Sequence, residues 1–85
     1  MSFLNLIFMH SGQRIMIQAK SDELFAEVAL RYMNKAGLTE QNAPKFFFNS
    51  TELKPEAAKT LAEYRINQQA LIDVVLSSLV IGALY

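Results

Sequence analysis

The amino-acid sequence predicts a small α+β domain, in which a mixed sheet of four to five strands packs on one long helix. Three observations lead to this fold class. The 85 residues leave room for one domain only. Apolar side chains recur at every second position in several segments, and one segment changes to helical spacing. With 52% apolar residues, the chain can fill the dense core that so short a protein needs.

The first predicted element is a β-hairpin over residues 3–19. Apolar side chains alternate along both arms of this segment, which is typical of strands with one buried face. Ser11 and Gly12 lie between the arms and supply residues that favour a turn. The side chains predicted to face the core of the protein from this hairpin are Leu4, Leu6, Phe8, Ile15 and Ile17.

A helix is predicted over residues 22–36, approximately. Ser21 and Asp22 are residue types that cap helices, and Glu27 and Arg31 have the spacing of a favourable ion pair on one helix face. Gly37 is suited to the left-handed conformation that ends many helices. The apolar positions with helical spacing are Phe25, Val28, Ala29, Tyr32, Met33 and Ala36.

The second half of the chain predicts three more strands and a short helix. Turn residues and polar stretches separate these elements, and no internal repeat is present. In chain order we expect a loop over residues 38–44, strands over 45–48 and 51–53, a short helix near 56–63, and a final strand over 71–76. The inward side chains of these strands are then Phe46, Phe48, Ile72 and Val74.

Composition excludes several classes of function. The chain has no cysteine, so disulfides and cysteine-based zinc or iron–sulfur sites are excluded. Eight basic and eight acidic residues cancel, which leaves no excess of positive charge for a nucleic acid. His10 is the single histidine and is expected in an exposed turn. We therefore predict no catalytic residue, no cofactor and no metal, and a protein that is not an enzyme.

The apolar segments do not predict a membrane span. Asn5 interrupts the first apolar stretch, and no basic region precedes it as in a signal peptide. The apolar stretch over residues 74–85 is much shorter than the roughly 20 residues that a spanning helix needs. The absence of cysteine is compatible with the cytosol.

The order of these elements, and the residues of the second half, resemble ubiquitin and ubiquitin-like β-grasp domains. The stretch FFFNSTELKPEAAKTLAEYRINQQALIDVVL carries the likeness, above all Thr60-Leu61, Tyr64, Ile66 and the final strand. The resemblance covers about residues 3–77, so we expect a ubiquitin-like domain over 1–77 and an apolar C-terminal tail over 78–85. Two departures are visible: the first hairpin turn is one residue shorter, and the connection over residues 54–59 is about two residues longer.

The resemblance implies a surface that binds other proteins. Ubiquitin binds most partners through an apolar patch on the open face of its sheet. Phe47 matches the central isoleucine of that patch, Val75 matches its valine, and Asp73 stands where ubiquitin has a histidine. Strand alternation places three further apolar side chains on this face, Ile7, Met9 and Met16. Two alternatives stay open: unrelated surface residues, or a face covered by the C-terminal tail.

The C-terminus separates two predicted functions. The resemblance implies a chain-building lysine at two positions that are Thr51 and Gln68 here, and the tail lacks the Gly-Gly of conjugated ubiquitin-like proteins. We therefore expect a non-conjugated module for protein–protein interaction, as a subunit of a larger assembly. The alternative is a protein modifier conjugated through Gly82 after removal of Ala83–Tyr85. Either function implies an intracellular protein of the cytoplasm or nucleus, with the oligomeric state left open.

Overall fold

The computed structural model describes residues 3–76 and contains five strands and one long helix. In chain order these are β1 (Phe3–His10), β2 (Gln13–Lys20), α1 (Phe25–Ala36), β3 (Pro44–Phe48), β4 (Thr51–Leu53) and β5 (Leu71–Leu76). Two short 3-10 helices cover Glu40–Asn42 and Pro55–Ala57. Every strand predicted from the sequence is present.

The strands form a single mixed sheet in the order β2-β1-β5-β3-β4. The first and last strands, β1 and β5, pair in parallel at its centre, and the other neighbours are antiparallel. The connection between β2 and β3 contains α1, which packs against the inner face of the sheet. This confirms the predicted α+β fold class.

A two-residue turn sets the register of the first hairpin. Ser11 and Gly12 both have positive φ angles, 51° and 82°, as the turns with the twist of a hairpin require. His10 therefore pairs with Gln13, and the register continues to Phe3 opposite Lys20. Because side chains alternate between faces, this register places the predicted inward residues of both strands on the same side of the sheet.

Helix α1 begins at Phe25, about one turn later than predicted. Ser21 and Asp22 do not cap it: the N-cap is Leu24, which makes no side-chain capping bond. A long-range contact explains the later start, because the Phe25 N–H donates to the carbonyl of Lys59 at 2.9 Å. The segment before the helix is thus held in extended form by the chain near residue 60. At the other end Gly37 closes the helix with φ 76°, as predicted.

The predicted ion pair between Glu27 and Arg31 is wrong, because Arg31 pairs with Glu23. The Arg31 guanidinium donates to both Glu23 oxygens, at 2.9 and 3.2 Å, and to the Gln18 carbonyl at 3.1 Å. Glu23 precedes the helix and also accepts the Lys20 N–H at 2.8 Å. The Arg31 hydrogen bond, together with the Lys20 N–H, lowers the pKa of the Glu23 carboxyl, although partial burial opposes this. This cluster joins α1 to the end of β2.

The second helical segment is shorter than the predicted helix near 56–63. The 3-10 helix Pro55–Ala57 ends at Ala58, which has a φ of 57°. Beyond it Thr60 forms a β-bridge with Leu24, and the Tyr64 hydroxyl bonds both the N–H and the carbonyl of Lys54. Backbone groups that are used in these contacts cannot also form an α-helix, so the segment folds as turns.

The core lies between the inner face of the sheet and α1. Phe8 stacks on Tyr32 with ring centroids 4.4 Å apart, and Phe46 meets Phe8 and Phe25 edge to face. Burial raises the pKa of the Tyr32 hydroxyl. Every side chain that the alternation predicted to face inward is either buried in this core or packed against it. The fully buried large residues are Phe8, Phe25, Phe46, Leu6, Leu53, Leu61, Ile72 and Val28.

Candidate functional site

The face of the sheet opposite α1, here called the outer face, carries all six residues predicted to bind a partner. Strand alternation puts them there, because each lies next to at least one residue of its strand that packs in the core. The side chains at the centre of the outer face are Ile7, Met9, Arg14, Met16, Lys45, Phe47, Glu52, Leu71, Asp73 and Val75.

An apolar row crosses three neighbouring strands of the outer face. Ile7 on β1 lies directly opposite Met16 on β2 and directly opposite Leu71 on β5. Met16 is 53% exposed and Leu71 is 50% exposed, while Ile7 between them is partly exposed. Directly opposed side chains are within contact distance of each other, so these three form a continuous apolar strip.

A second row crosses all five strands and mixes apolar and charged side chains. In sheet order it contains Arg14, Met9, Asp73, Phe47 and Glu52, each opposite its neighbour in the register. Asp73 is exposed, and Met9 and Phe47 are partly exposed. The second row therefore places a single aromatic ring and a methionine among three charged groups.

Val75 and Lys45 form a third and shorter row beside the second. They lie opposite each other on β5 and β3, and Val75 is 50% exposed. An open groove of about 550 Å³ runs beside these residues toward the hairpin turn, and Met9, Phe47, Asp73 and Val75 line it. Four of the six predicted residues thus share one depression, while Ile7 and Met16 lie in the neighbouring apolar row.

Leu71 is a residue of this face that the sequence interpretation missed. The same alternation that places Ile72 and Val74 inward also places Leu71 outward, so the signal was present in the pattern. In the structure it connects Ile7 of the apolar row to the exposed side of β5.

His10 and the carboxylates are the residues among 3–76 that acid–base or metal chemistry would require. His10 ends β1 and its Nε2 lies 3.4 Å from the Ser11 Oγ, but no carboxylate is bonded to the ring among residues 3–76. That spacing is long for a hydrogen bond to a hydroxyl, and none of the described residues orients the imidazole as a base. Within the same range no group of histidine and carboxylate side chains could hold a metal ion.

Gln68 stands where the resemblance implied a lysine, and the structure gives it a different role. Its side-chain oxygen accepts the Asn5 N–H at 2.6 Å and its nitrogen donates to the Phe3 carbonyl at 3.0 Å. The amide thus continues the hydrogen bonding of β1 beyond the point where β5 begins. Thr51, at the other position, is exposed at the start of β4. Gly82 and the predicted tail over residues 78–85 lie outside the described residues.

This sheet order, with its single helix and its exposed apolar face, defines a ubiquitin-like β-grasp domain. A designed protein based on ubiquitin has the same fold, with a TM-score of 0.76 and 21% identity over 89% of this chain and 90% of that chain. The model of the family described as "Ubiquitin-2 like Rad60 SUMO-like" matches residues 6–76. The chain belongs to that family. No curated protein sequence matches it.

Family membership confirms the ubiquitin-like resemblance and the general role of such domains in contacts with proteins. In the part of the chain that the structure describes, α1 is neither long nor apolar enough to cross a membrane, and neither is any other helix. Because one fold serves many functions, the particular role has to be argued from the outer face.

Proposed function

We propose that this domain is a non-conjugated protein-interaction module that binds its partners through the outer face, with Phe47 and Val75 as anchors. The observation that carries the proposal is the continuous apolar row across β2, β1 and β5, with Phe47 and Val75 in the rows beside it. Scattered apolar residues are ordinary on protein surfaces, whereas contiguous patches mark interaction sites.

The distribution of exposed apolar side chains supports this face over other surfaces. Five large apolar residues of the described chain are at least 46% exposed, and Met16, Leu71 and Val75 of the outer face are three of them. Leu30 on α1 is another, and lies on the opposite side of the molecule at 57% exposure. Burying apolar surface contributes about 25 cal/mol per Å², so a partner gains most by covering the outer face.

Affinity capture with the full 85-residue chain tests the proposal. Val75→Asp and Phe47→Ala should reduce recovery of the native partner, identified by mass spectrometry from the native cell, because each removes an apolar anchor. Leu30→Asp is the matched control, since it places the same charge at an equally exposed site on α1. Circular dichroism should show unchanged folding for all three variants. Equal recovery with Val75→Asp and wild type would exclude the outer face as the binding surface.

The alternative function is a modifier conjugated through Gly82, which stands six residues beyond Leu76 in the sequence. Intact-mass measurement of the protein from its native cell separates the two functions. A form that ends at Gly82, or larger adducts that disappear with Gly82→Ala, would support the modifier. A chain that retains Ala83–Tyr85 and forms no adducts would support the non-conjugated module.

The proposal includes the division into a ubiquitin-like domain over residues 1–77 and an apolar tail over 78–85. It assigns the protein no catalytic residue and no cofactor, and it places the protein inside the cell, in the cytoplasm or nucleus, within a larger assembly. Family membership supports a protein as the partner. The balance of eight basic and eight acidic residues supports a protein over a nucleic acid.

A further inference from the structure

Phe47 is flanked on both sides by carboxylates. In the sheet register it lies directly opposite Asp73 on β5 and directly opposite Glu52 on β4. Side chains that face each other in this way have Cβ atoms about 4.5–5.5 Å apart. One aromatic ring on the outer face therefore lies between two acidic groups in a single row.

Neither carboxylate is neutralised within the described part of the chain. The ion pair between Glu23 and Arg31 is the one formed among residues 3–76, and it lies near the helix rather than on the outer face. Lys45 shares the face but lies opposite Val75, two residues before Phe47. The two groups directly opposite the ring across the neighbouring strands are thus both anionic, and no ion pair within residues 3–76 occupies them.

The ring adds its own attraction for a cation. The face of an aromatic ring carries partial negative charge, and a cation over it is stabilised, more so where water is excluded. The same structure shows the geometry elsewhere, where the Lys20 Nζ lies 5.8 Å from the centre of the Phe3 ring and the Lys59 Nζ lies 5.5 Å from that of Tyr64. Phe47 has no such cation from residues 3–76, although its two neighbours are acids.

We infer that the partner protein inserts an arginine over Phe47, with its guanidinium donating hydrogen bonds to Asp73 and Glu52. The inference rests on the proposed function, since it names the chemistry of the partner at that same face. A guanidinium fits better than an ammonium ion, because it is planar, stacks on rings and presents five donors that can reach two carboxylates.

A phage-displayed library of random peptides provides the probe. Peptides are selected on the full wild-type chain, and those that also bind the uncharged Val75→Ser variant are removed, so the remaining set depends on the outer face. The recovered peptides should contain an arginine next to apolar residues. Calorimetry with one such peptide then measures affinities, and its counterpart with citrulline in place of arginine tests the charge while keeping the shape.

Matched variants divide the proposed site into its parts. Asp73→Asn and Glu52→Gln should each lower the affinity for the arginine peptide roughly tenfold. Phe47→Leu should lower this affinity about fivefold, since leucine keeps apolar area but has no aromatic ring. Lys45→Gln should leave affinity unchanged or raise it, because it removes a competing cation on the same face. Asp22→Asn, an exposed carboxylate far from the face, is the control and should have no effect.

The outcomes separate the two proposals. Peptides that depend on Val75 but lack arginine, or that bind Asp73→Asn and Glu52→Gln as well as wild type, would overturn the arginine site and leave the interaction face intact. Equal binding of the arginine and citrulline peptides would do the same. If no recovered peptide depends on Val75, both the interaction face and the arginine site are contradicted.

Discussion

The two faces of the sheet are built from the same strands but differ in what covers them. On the inner face, Phe46 is 1% exposed and packs edge to face against Phe8 and Phe25. On the outer face its neighbour Phe47 lies among charged groups and stays partly exposed. Adjacent residues of one type therefore have different environments: the side chain of Phe46 packs in the core, and that of Phe47 remains in contact with solvent.

The comparison shows that apolar character alone does not identify a core residue. The outer face carries apolar side chains in β1, β2, β3 and β5, yet no helix of the described chain packs on it. Hydrophobic burial stabilises only the side that α1 covers, so residues on the other side can change at small cost in folding. The predictions below test this separation, from the largest expected change in stability to the smallest.

Phe46→Ala and Phe47→Ala form the most direct test. Removing the buried ring should lower the free energy of unfolding by about 3–5 kcal/mol, because it leaves a cavity between the sheet and α1. Removing the partly exposed ring should cost about 1 kcal/mol or less. Urea unfolding followed by circular dichroism measures both. Equal losses for the two variants would mean that the outer face is part of the folding core.

Gln68→Ala should lower stability by about 1 kcal/mol, since it removes two hydrogen bonds to the backbone of β1. Gln68→Glu should also destabilise, because a carboxylate cannot donate to the Phe3 carbonyl. Asn67→Ala is the control, as its side chain makes no hydrogen bond among the described residues. Amide hydrogen exchange at Asn5 reports the contact directly, and unchanged protection in Gln68→Ala would contradict it.

Glu23→Gln should cost about 0.5 kcal/mol near neutral pH, because Arg31 is 43% exposed and water screens the pair. The pKa of Glu23 lies below its ordinary value of 4.5 in the folded protein. The stabilisation of the folded protein by the ionised Glu23 carboxylate is therefore fully present above pH 4.5 and is lost as the pH falls through the lowered pKa.

The difference in unfolding free energy between wild type and Glu23→Gln should then shrink on acidification, in urea titrations over a series of pH values. Glu27→Gln is the matched control, since that carboxylate belongs to the predicted pair that the structure does not form. A difference for Glu23→Gln that is constant with pH would show that the Arg31 contact adds no charge-dependent stability.

Leu71→Asn should change stability least, within about 0.5 kcal/mol, because the side chain is 50% exposed. The same variant should weaken binding of the native partner, since it places a polar side chain in the apolar row next to Ile7. Thermal unfolding and affinity capture measure the two effects separately. A large drop in melting temperature would show that the apolar row contributes to folding as well as binding.

Much of the fold and of the candidate site follows from periodicity. Alternation identified the inner residues of β1, β2, β3 and β5 and placed Phe47, Val75 and Asp73 on the opposite face, because a strand directs successive side chains to opposite sides. What periodicity could not predict are contacts between distant segments. The β-bridge between Leu24 and Thr60 makes α1 begin later in the chain than its apolar spacing predicts. The side-chain amide of Gln68 bonds to β1, more than sixty residues earlier in the sequence.

The sequence by itself determined the class of fold, the strands and the two faces of the sheet, since these depend on local spacing of apolar side chains. The tertiary structure decided which charged groups meet. Arg31 pairs with Glu23 rather than Glu27 because the segment before α1 is held in extended form. Phe47 lies between Asp73 and Glu52 because β3 pairs with β5 on one side and β4 on the other. Charge contacts depend on distances of a few ångströms between separate elements, and these are set by strand register and helix position.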